Sequence, residues 1–407
     1  MGAAREAVNA AGRIAPKGPP GRSASNDTPG RSTPIESPGR ILSNHPLARI
    51  DSIDVLRGLA VLFMLEVHLG FWWARLAPES DPLVIAGTIL GGTAAPLFLV
   101  LAGAGLAISK QRRPDGFLRR TAVRGALLLI AGIVFTLMMA PVYGPWGWGV
   151  LQCIGVSLLL AAPLMLKYGK GPVFHGPGPG HRVLIGLGLF IAAPLFRHAF
   201  GIPDFLWSDD MSAVPTFWDY LNRMMLSGFF PLLPWLGFVL IGTAAGEWLC
   251  EGSPRYRDIV PISLSLTLTG IVAAANGMPM NFFPPSVAFT LAVSGVVLLA
   301  MTLAARWHVP GTRVLAPLGR LSLTLFVAHH IIGYLGVRAA GGLNSLELLP
   351  DLVAVLGTWV ICALVAWAWS KAGYRYSLEW LLSRAEGPTA ERINNTRGNS
   401  GLKSPEE

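Results

Sequence analysis

The sequence predicts an all-α membrane protein, a polytopic bundle of about ten transmembrane helices with both termini in the cytosol. Three observations favour this class. Only 14% of the 407 residues are charged, whereas soluble domains have roughly 25%. Hydrophobic residues make up 52% of the chain and the mean hydropathy is +0.51. The apolar residues form about ten segments of roughly 20 residues, the length that a helix needs to cross the hydrocarbon layer.

The ten segments, first to tenth in chain order, lie near 52–74, 84–108, 120–140, 147–166, 182–200, 228–249, 259–276, 286–306, 317–337 and 352–371. They are too long and too uniformly apolar for the strands of a membrane barrel. Because lipid offers no hydrogen bonds to the backbone, helices are the spanning form that we expect for all ten.

The two ends of the chain differ in composition from this central part. Residues 1–48 are rich in Pro, Gly, Ser and Arg and have too few apolar side chains to build a core, which predicts a disordered cytosolic tail. Residues 49–375 form the predicted membrane domain. Residues 376–407 form a predicted cytosolic C-terminal tail.

The loops between the segments predict the orientation. The second-to-third loop, KQRRPDGFLRR, and the eighth-to-ninth loop, RWHVPGTR, are basic, whereas LAPESD is acidic and NGMPMNFFPPS carries no charge. Basic loops stay on the cytosolic side, so both termini are expected there, in agreement with an even number of spans. The net charge of +9 does not indicate nucleic-acid binding, because the basic residues lie beside apolar segments rather than in one patch.

The three cysteines, Cys153, Cys250 and Cys362, fall in or beside apolar segments at spacings that fit no metal site. We therefore expect them to be small packing residues, and the sequence predicts no bound metal or cofactor.

The first segment carries ionisable side chains that are costly in lipid. Arg57 and His68 are eleven residues apart, which places them about 20° apart in azimuth and about 16 Å apart along a helix. Asp54 can pair with Arg57 at the i,i+3 spacing. Such groups usually face a bundle interior and have a functional role. For Asp54 and Arg57 the alternative is an interfacial pair that anchors the end of the helix. A buried, neutral His68 fits a general base or a core hydrogen bond.

Further candidate residues lie in other segments. His329 and His330 are adjacent near the middle of the ninth segment, where either can be a catalytic group or a helix-to-helix hydrogen bond. Gln152 and Trp235 are candidate hydrogen-bond donors, with packing as the simpler alternative. Three basic residues at the cytosolic end of the third segment are candidate ligands of phosphates. The alternative is that they serve only to keep this end of the helix on the cytosolic side. They are Arg119, Arg120 and Arg124.

Six stretches together resemble a known family. In chain order they are IDVLRGLAVLFMLEVH, APLFLVLAGAGLAIS, GVLQCIGVSLLLAAPL, FPLLPWLGFVLIGTAAGEWL, FPPSVAFTLAVSG and LGRLSLTLFVAHHII. They resemble the bacterial membrane proteins related to heparan-α-glucosaminide N-acetyltransferase, in the transmembrane acyltransferase superfamily. The resemblance covers about residues 50–371. The spacing of Arg57 and His68 is also similar to a motif of bacterial O-acetylases.

The resemblance implies acyl transfer from a cytosolic acyl-CoA, acetyl-CoA or another, to a saccharide or glycolipid acceptor outside the cytosol. It implies a multi-pass protein of the bacterial inner membrane, with His68 as the catalytic histidine and with Arg57 and Asp54 shaping the inner part of the site. His329 or His330 would orient His68 or polarise the thioester carbonyl. The expected partners are the acyl-CoA, the acceptor and the lipid bilayer, with a homodimer left open.

The sequence departs from the lysosomal member of the family, in which the catalytic histidine lies in the loop after the first span. Here that loop, LGFWWARLAPESD, has no histidine, which favours an arrangement like that of the O-acetylases. The main alternative function is a transporter or flippase, which would use the same intramembrane charges without covalent chemistry. A non-catalytic scaffold is a third alternative, but it explains neither Arg57 with His68 nor the histidine pair.

Overall fold

The structure is a computed structural model that describes residues 51–75, 81–140, 144–166, 177–203, 215–250, 256–306, 312–339 and 341–387. The N-terminal tail predicted at 1–48 and residues 388–407 of the C-terminal tail lie outside the described residues. The domain limits therefore stay a prediction.

The described residues form thirteen α-helices. They are α1 (Asp51–Trp73), α2 (Pro82–Arg112), α3 (Phe117–Met138), α4 (Val150–Leu164), α5 (Pro179–Ala199), α6 (Phe217–Asn222), α7 (Leu232–Cys250), α8 (Tyr256–Ala275), α9 (Val287–Arg306), α10 (Thr312–Arg320), α11 (Ser322–Ala339), α12 (Leu348–Lys371) and α13 (Leu378–Ala385). A π-helical turn, Arg223–Ser227, follows α6. The prediction of an all-α membrane protein is confirmed.

All ten predicted segments contain helix, but they are not ten equal spans. Among the described residues, seven helices are long and apolar enough to cross a membrane, namely α1, α2, α3, α5, α7, α9 and α12, and the bent pair of α10 and α11 can supply an eighth. Two further apolar stretches are shorter, namely α4 (Val150–Leu164) and the part Ile259–Ala275 of α8. A 15-residue helix is only about 22 Å long, less than the roughly 30 Å of the hydrocarbon layer.

The ninth predicted segment, 317–337, is not one straight helix, and the prediction of a continuous span there is wrong. Helices α10 and α11 meet at 81° around Leu321. The break frees N–H groups at the start of α11, and the Glu379 carboxylate accepts hydrogen bonds from the backbone of Leu323 (2.6 Å) and of Thr324 (3.1 Å). A carboxylate is favourable at a helix N-terminus. A side chain from α13 thus stabilises the bend.

Glycines allow the central helices to approach closely. A Cβ atom on Gly242 in α7 would overlap the carbonyl oxygen of Val100 in α2, and a Cβ atom on Gly103 in α2 would overlap that of Val239 in α7. Without a hydrophobic effect between helices in lipid, such close backbone packing is a main source of association. The α2–α7 pair is therefore one of the closely packed contacts of the bundle.

We expect Gly242→Ala to destabilise the protein by about 1–3 kcal/mol, because the added methyl group has no space at the α2–α7 contact. The matched control is Gly188→Ala in α5, where an added Cβ would meet no atom of the described residues within 4 Å. Thermal unfolding of both variants in the same detergent measures the effect. Equal midpoints for the two variants would contradict the packing role of Gly242.

Helix α10 lies against the N-terminal part of α1 through a second close contact. A Cβ atom on Gly58 would overlap the carbonyl oxygen of Leu315, and one on Gly319 would overlap that of Asp54. This contact brings Arg320, the last residue of α10, next to Asp54. The bend at Leu321 therefore lies directly beside the charged residues of α1, because Arg320 precedes the bend and donates to Asp54.

Candidate functional site

An elongated cavity of about 810 Å³ runs through the bundle. Its lining follows α1 from Arg57 to Phe71, and α3 from Arg120 to Met139, the residue directly after the helix. At 1.5 Å per residue these stretches are about 21 and 28 Å long. The cavity therefore extends along most of the length of both helices, in agreement with a passage between the two sides of the bundle.

The two ends of the cavity differ in chemistry. The end near the start of α1 and α3 carries four arginines and two glutamates, namely Arg57, Arg120, Arg124, Arg320, Glu379 and Glu386. The other end is lined by aromatic rings, namely Phe71, Trp72, Trp148, Phe229, Phe230, Phe282 and Phe283. A cationic end fits anionic groups such as phosphates, whereas the aromatic end fits an uncharged ligand with apolar faces.

Three histidines meet beside the cavity. The ring centroids of His68 and His329 are 5.0 Å apart, those of His68 and His330 are 5.4 Å apart, and those of His329 and His330 are 4.0 Å apart. His68 and His330 line the cavity, and His329 is only 1% exposed. The sequence predicted these residues as two separate candidates, and the structure brings them into one cluster.

The three rings share one hydrogen-bond pattern. In each ring Nδ1 lies 2.9–3.1 Å from the backbone carbonyl oxygen four residues earlier, and because a carbonyl only accepts, Nδ1 carries the proton. A neutral ring then has its lone pair on Nε2. Among the described residues, Nε2 of His329 is buried without a hydrogen-bond partner. The three pairs are His68 with Met64, His329 with Leu325 and His330 with Phe326.

Aromatic rings surround the histidine cluster. Trp72 lies parallel to His329 at 6.0 Å between centroids, and Phe135 meets His330 edge-on at 4.5 Å. These rings restrict the imidazole orientations and lower the local polarity. Sequence reasoning did not single out Trp72, although its position one helical turn after His68 placed it on the same face.

Asp54 holds two arginines at the cationic end. Its side chain is 2% exposed and accepts hydrogen bonds from Arg57 at 3.1 Å and from Arg320 at 3.1 Å. Arg320 also donates to Asp51 at 3.3 Å. The predicted pairing of Asp54 with Arg57 is confirmed. Arg320 is an addition that the sequence did not indicate, because it comes from a helix more than 260 residues away.

The three arginines of α3 differ in position. Arg120 and Arg124 line the cavity, and Arg124 pairs with Glu386 at 3.7 Å. Arg119 is exposed and is not part of the lining. The structure therefore brings two of the three predicted phosphate ligands to the cavity.

The two predicted hydrogen-bond donors are placed differently. Gln152 lines the cavity, but its amide donates to Thr136 at 2.9 Å and its side-chain oxygen accepts from the backbone of Gly149 at 3.1 Å. These bonds give Gln152 a local structural role at the start of α4. Trp235 is fully buried against Phe238 in the aromatic core and does not line the cavity.

Fold and site define an all-α, multi-pass membrane protein with an internal cavity that joins a cationic end to a histidine cluster. The model of the heparan-alpha-glucosaminide N-acetyltransferase catalytic family matches residues 49–275, more than half of the chain. The chain therefore belongs to this family of membrane acetyltransferases, which confirms the resemblance found in the sequence. Comparison with curated proteins gives no match. The matched residues include Asp54, Arg57 and His68 but end before the histidine pair of α11.

Proposed function

We propose that the protein is an acyltransferase of the bacterial inner membrane that moves an acetyl or other acyl group from a cytosolic acyl-CoA to an extracytoplasmic saccharide or glycolipid. The observation that carries this proposal is the continuous lining from the cationic end of the cavity to His68. It is supported by the family membership. Acyl transfer needs an anion-binding entrance for CoA and a base at the reacting centre, and the cavity offers both groups of residues.

The donor would bind with its phosphates at the cationic end and its thioester near the histidines. Arg57, Arg124 and Arg320 offer planar guanidinium groups for phosphate oxygens. Arg57 and His68 are about 16 Å apart along α1, a separation that the extended pantetheine arm of CoA can bridge. The acceptor would enter from the aromatic end, where neutral rings can contact the apolar faces of a sugar.

The chemical step uses the Nε2 lone pair of His68. In the direct route, Nε2 takes the proton of the acceptor hydroxyl or amine while the acceptor atom attacks the thioester carbonyl. The C–S bond then breaks, and the CoA thiolate takes the proton from the imidazolium. In the alternative route, Nε2 attacks the thioester carbonyl, the C–S bond breaks and CoA leaves as the thiolate. The acceptor then attacks the acyl-imidazolium, the N–C bond breaks to restore the neutral ring, and the thiolate takes the acceptor's proton.

The hydrogen bonds of the histidine pair limit its role. With Nδ1 donating to the backbone, a neutral His329 or His330 has no second N–H for the thioester carbonyl. The geometry thus favours orientation of His68 by ring contacts, at 5.0 and 5.4 Å between centroids, over the predicted polarisation of the carbonyl.

The proposed function is tested with the full chain in nanodiscs. Calorimetric titration with acetyl-CoA measures binding, and release of free CoA thiol with a panel of sugar acceptors measures transfer. We expect binding and acceptor-dependent thiol release. If no acyl-CoA binds, the proposal is wrong and the transporter or flippase becomes the better interpretation.

We expect Arg124→Gln to raise the KM for acyl-CoA about tenfold with little change in kcat, because one charge-assisted hydrogen bond to a phosphate is lost. Arg119→Gln is the matched control, since Arg119 lies in the same helix but not in the cavity lining. Steady-state thiol release over a range of acyl-CoA concentrations gives both constants. Equal KM values for the two variants would exclude Arg124 from donor binding.

A further inference from the structure

We propose that His68, His329 and His330 form a binding site for one transition-metal ion of the zinc class. One ring nitrogen of each histidine lies within 4.8 Å of one ring nitrogen of both others. The three residues come from two helices, α1 and α11, that pack against each other. Nitrogen ligands of this kind suit zinc, copper, nickel and iron, whereas calcium and magnesium require oxygen ligands.

The hydrogen bonds of the rings support metal binding. Histidines that bind a metal usually donate their other N–H to a carboxylate, a backbone carbonyl or water, which fixes the tautomer and the ring orientation. All three histidines here have Nδ1 at hydrogen-bond distance from a backbone carbonyl oxygen. Their Nε2 atoms are thus the expected ligands, and the chain already provides the outer contacts of a metal site.

An unsatisfied nitrogen is the second observation. His329 is 1% exposed, and its Nε2 has no hydrogen-bond partner among the described residues. A buried acceptor without a partner is unfavourable, and a cation held between the three rings would satisfy it. The neighbouring rings of Trp72 and Phe135 form the apolar surroundings that strengthen such bonds.

The dimensions allow the site after a small adjustment. Bonds of about 2.0–2.1 Å from nitrogen to zinc place tetrahedral ligand atoms about 3.3 Å apart. One nitrogen of each ring already lies within 4.8 Å of the other two, so these atoms need to approach by at most about 1.5 Å. His68 and His330 line the cavity, which leaves the fourth position of the ion facing it. Three protein ligands with one open position are typical of catalytic zinc sites.

This inference stands on the histidine geometry and does not require acyl transfer. It also changes what His68 does in the proposed function. A bound ion takes the Nε2 lone pair, so His68 would then be a ligand, and the ion would supply Lewis acidity toward a carbonyl or a hydroxyl in place of a free imidazole base.

The test measures metal content and ligand geometry. The full chain is purified through a tag that contains no histidine, and elemental analysis gives the ions bound per chain. Cobalt is then exchanged into the site, because its visible absorption reports the number and arrangement of the ligands. We expect about one zinc ion per chain and a four-coordinate cobalt spectrum, with no binding of magnesium or calcium.

Variants assign the ion to the cluster. His329→Ala and His330→Ala should each weaken zinc binding more than about a hundredfold, since even outer contacts of metal sites are worth 10–100-fold. His198→Ala, an exposed histidine of α5, should bind zinc as the unchanged protein does. Size-exclusion profiles show which variants are folded. If they do not fold, a rise in the thermal midpoint of the unchanged protein with added zinc still reports binding.

The outcomes separate the two proposals. A folded protein without metal that still releases CoA thiol overturns the metal site and leaves the proposed function intact. A protein with one zinc ion and no thiol release supports the metal site and contradicts the acyltransferase proposal. Binding that survives both substitutions in α11 also overturns the site.

Discussion

We expect His68→Ala to abolish most acceptor-dependent release of CoA thiol while the protein still binds acyl-CoA. The expected loss in kcat is about 10²–10⁴-fold, the usual contribution of a positioned general base. The physical reason is that His68 is the cavity-lining histidine of α1, with Nδ1 at 2.9 Å from the Met64 carbonyl oxygen and its lone pair therefore on Nε2. Binding of the donor should persist, because the proposed phosphate contacts lie at the other end of the cavity.

The measurement is thiol release from saturating acyl-CoA and acceptor, with calorimetric binding of acyl-CoA on the same preparation. His198→Ala serves as the control for a histidine outside the cavity. A variant that retains at least half of the activity would remove His68 from the mechanism. Loss of donor binding together with activity would instead indicate that the variant has lost its structure.

A single-turnover experiment distinguishes the two chemical routes. Radiolabelled acyl-CoA is mixed with the protein in the absence of acceptor, and the label on the protein is counted. The acyl-carrier route predicts labelled protein in the unchanged chain and none in His68→Ala. The direct route predicts no label in either protein.

Asp54→Ala has the largest expected effect on stability, a loss of about 3–5 kcal/mol. The Asp54 side chain is 2% exposed and lies between Arg57 and Arg320, each at 3.1 Å. Its removal leaves two partly buried guanidinium groups without their shared anion. The effect should also weaken the contact of α10 with α1, because Arg320 is the residue that follows the close approach at Gly319.

The thermal midpoint in detergent measures this loss, and Asp51→Ala provides the matched control. Asp51 also accepts from Arg320, at 3.3 Å, but its side chain is 61% exposed, so solvent and salt screen the pair and we expect a loss of at most about 1 kcal/mol. Similar midpoints for the two variants would show that burial of the Asp54 cluster adds no stability.

Much of the architecture could be predicted from the sequence, because hydrophobic length and helical period are local properties. All ten predicted segments contain helix, and the pairing of Asp54 with Arg57 followed from a three-residue spacing on one helix. The six motifs also led to the family that residues 49–275 match. These features could be predicted because each of them depends only on residues that are close together in the sequence.

The site required the tertiary structure, because it depends on how helices turn toward each other. His68 and His329 are more than 260 residues apart, and no period in the sequence specifies that α1 and α11 present them to the same point. Trp235 and Gln152 looked like equal candidates, but packing buries the first in the aromatic core and ties the second to Thr136. The bend at Leu321 depends on Glu379 from another helix. The hydrophobic pattern thus determined which segments form apolar helices. Packing between distant helices determined which polar groups share the cavity, because only packing fixes the rotation of one helix against the next.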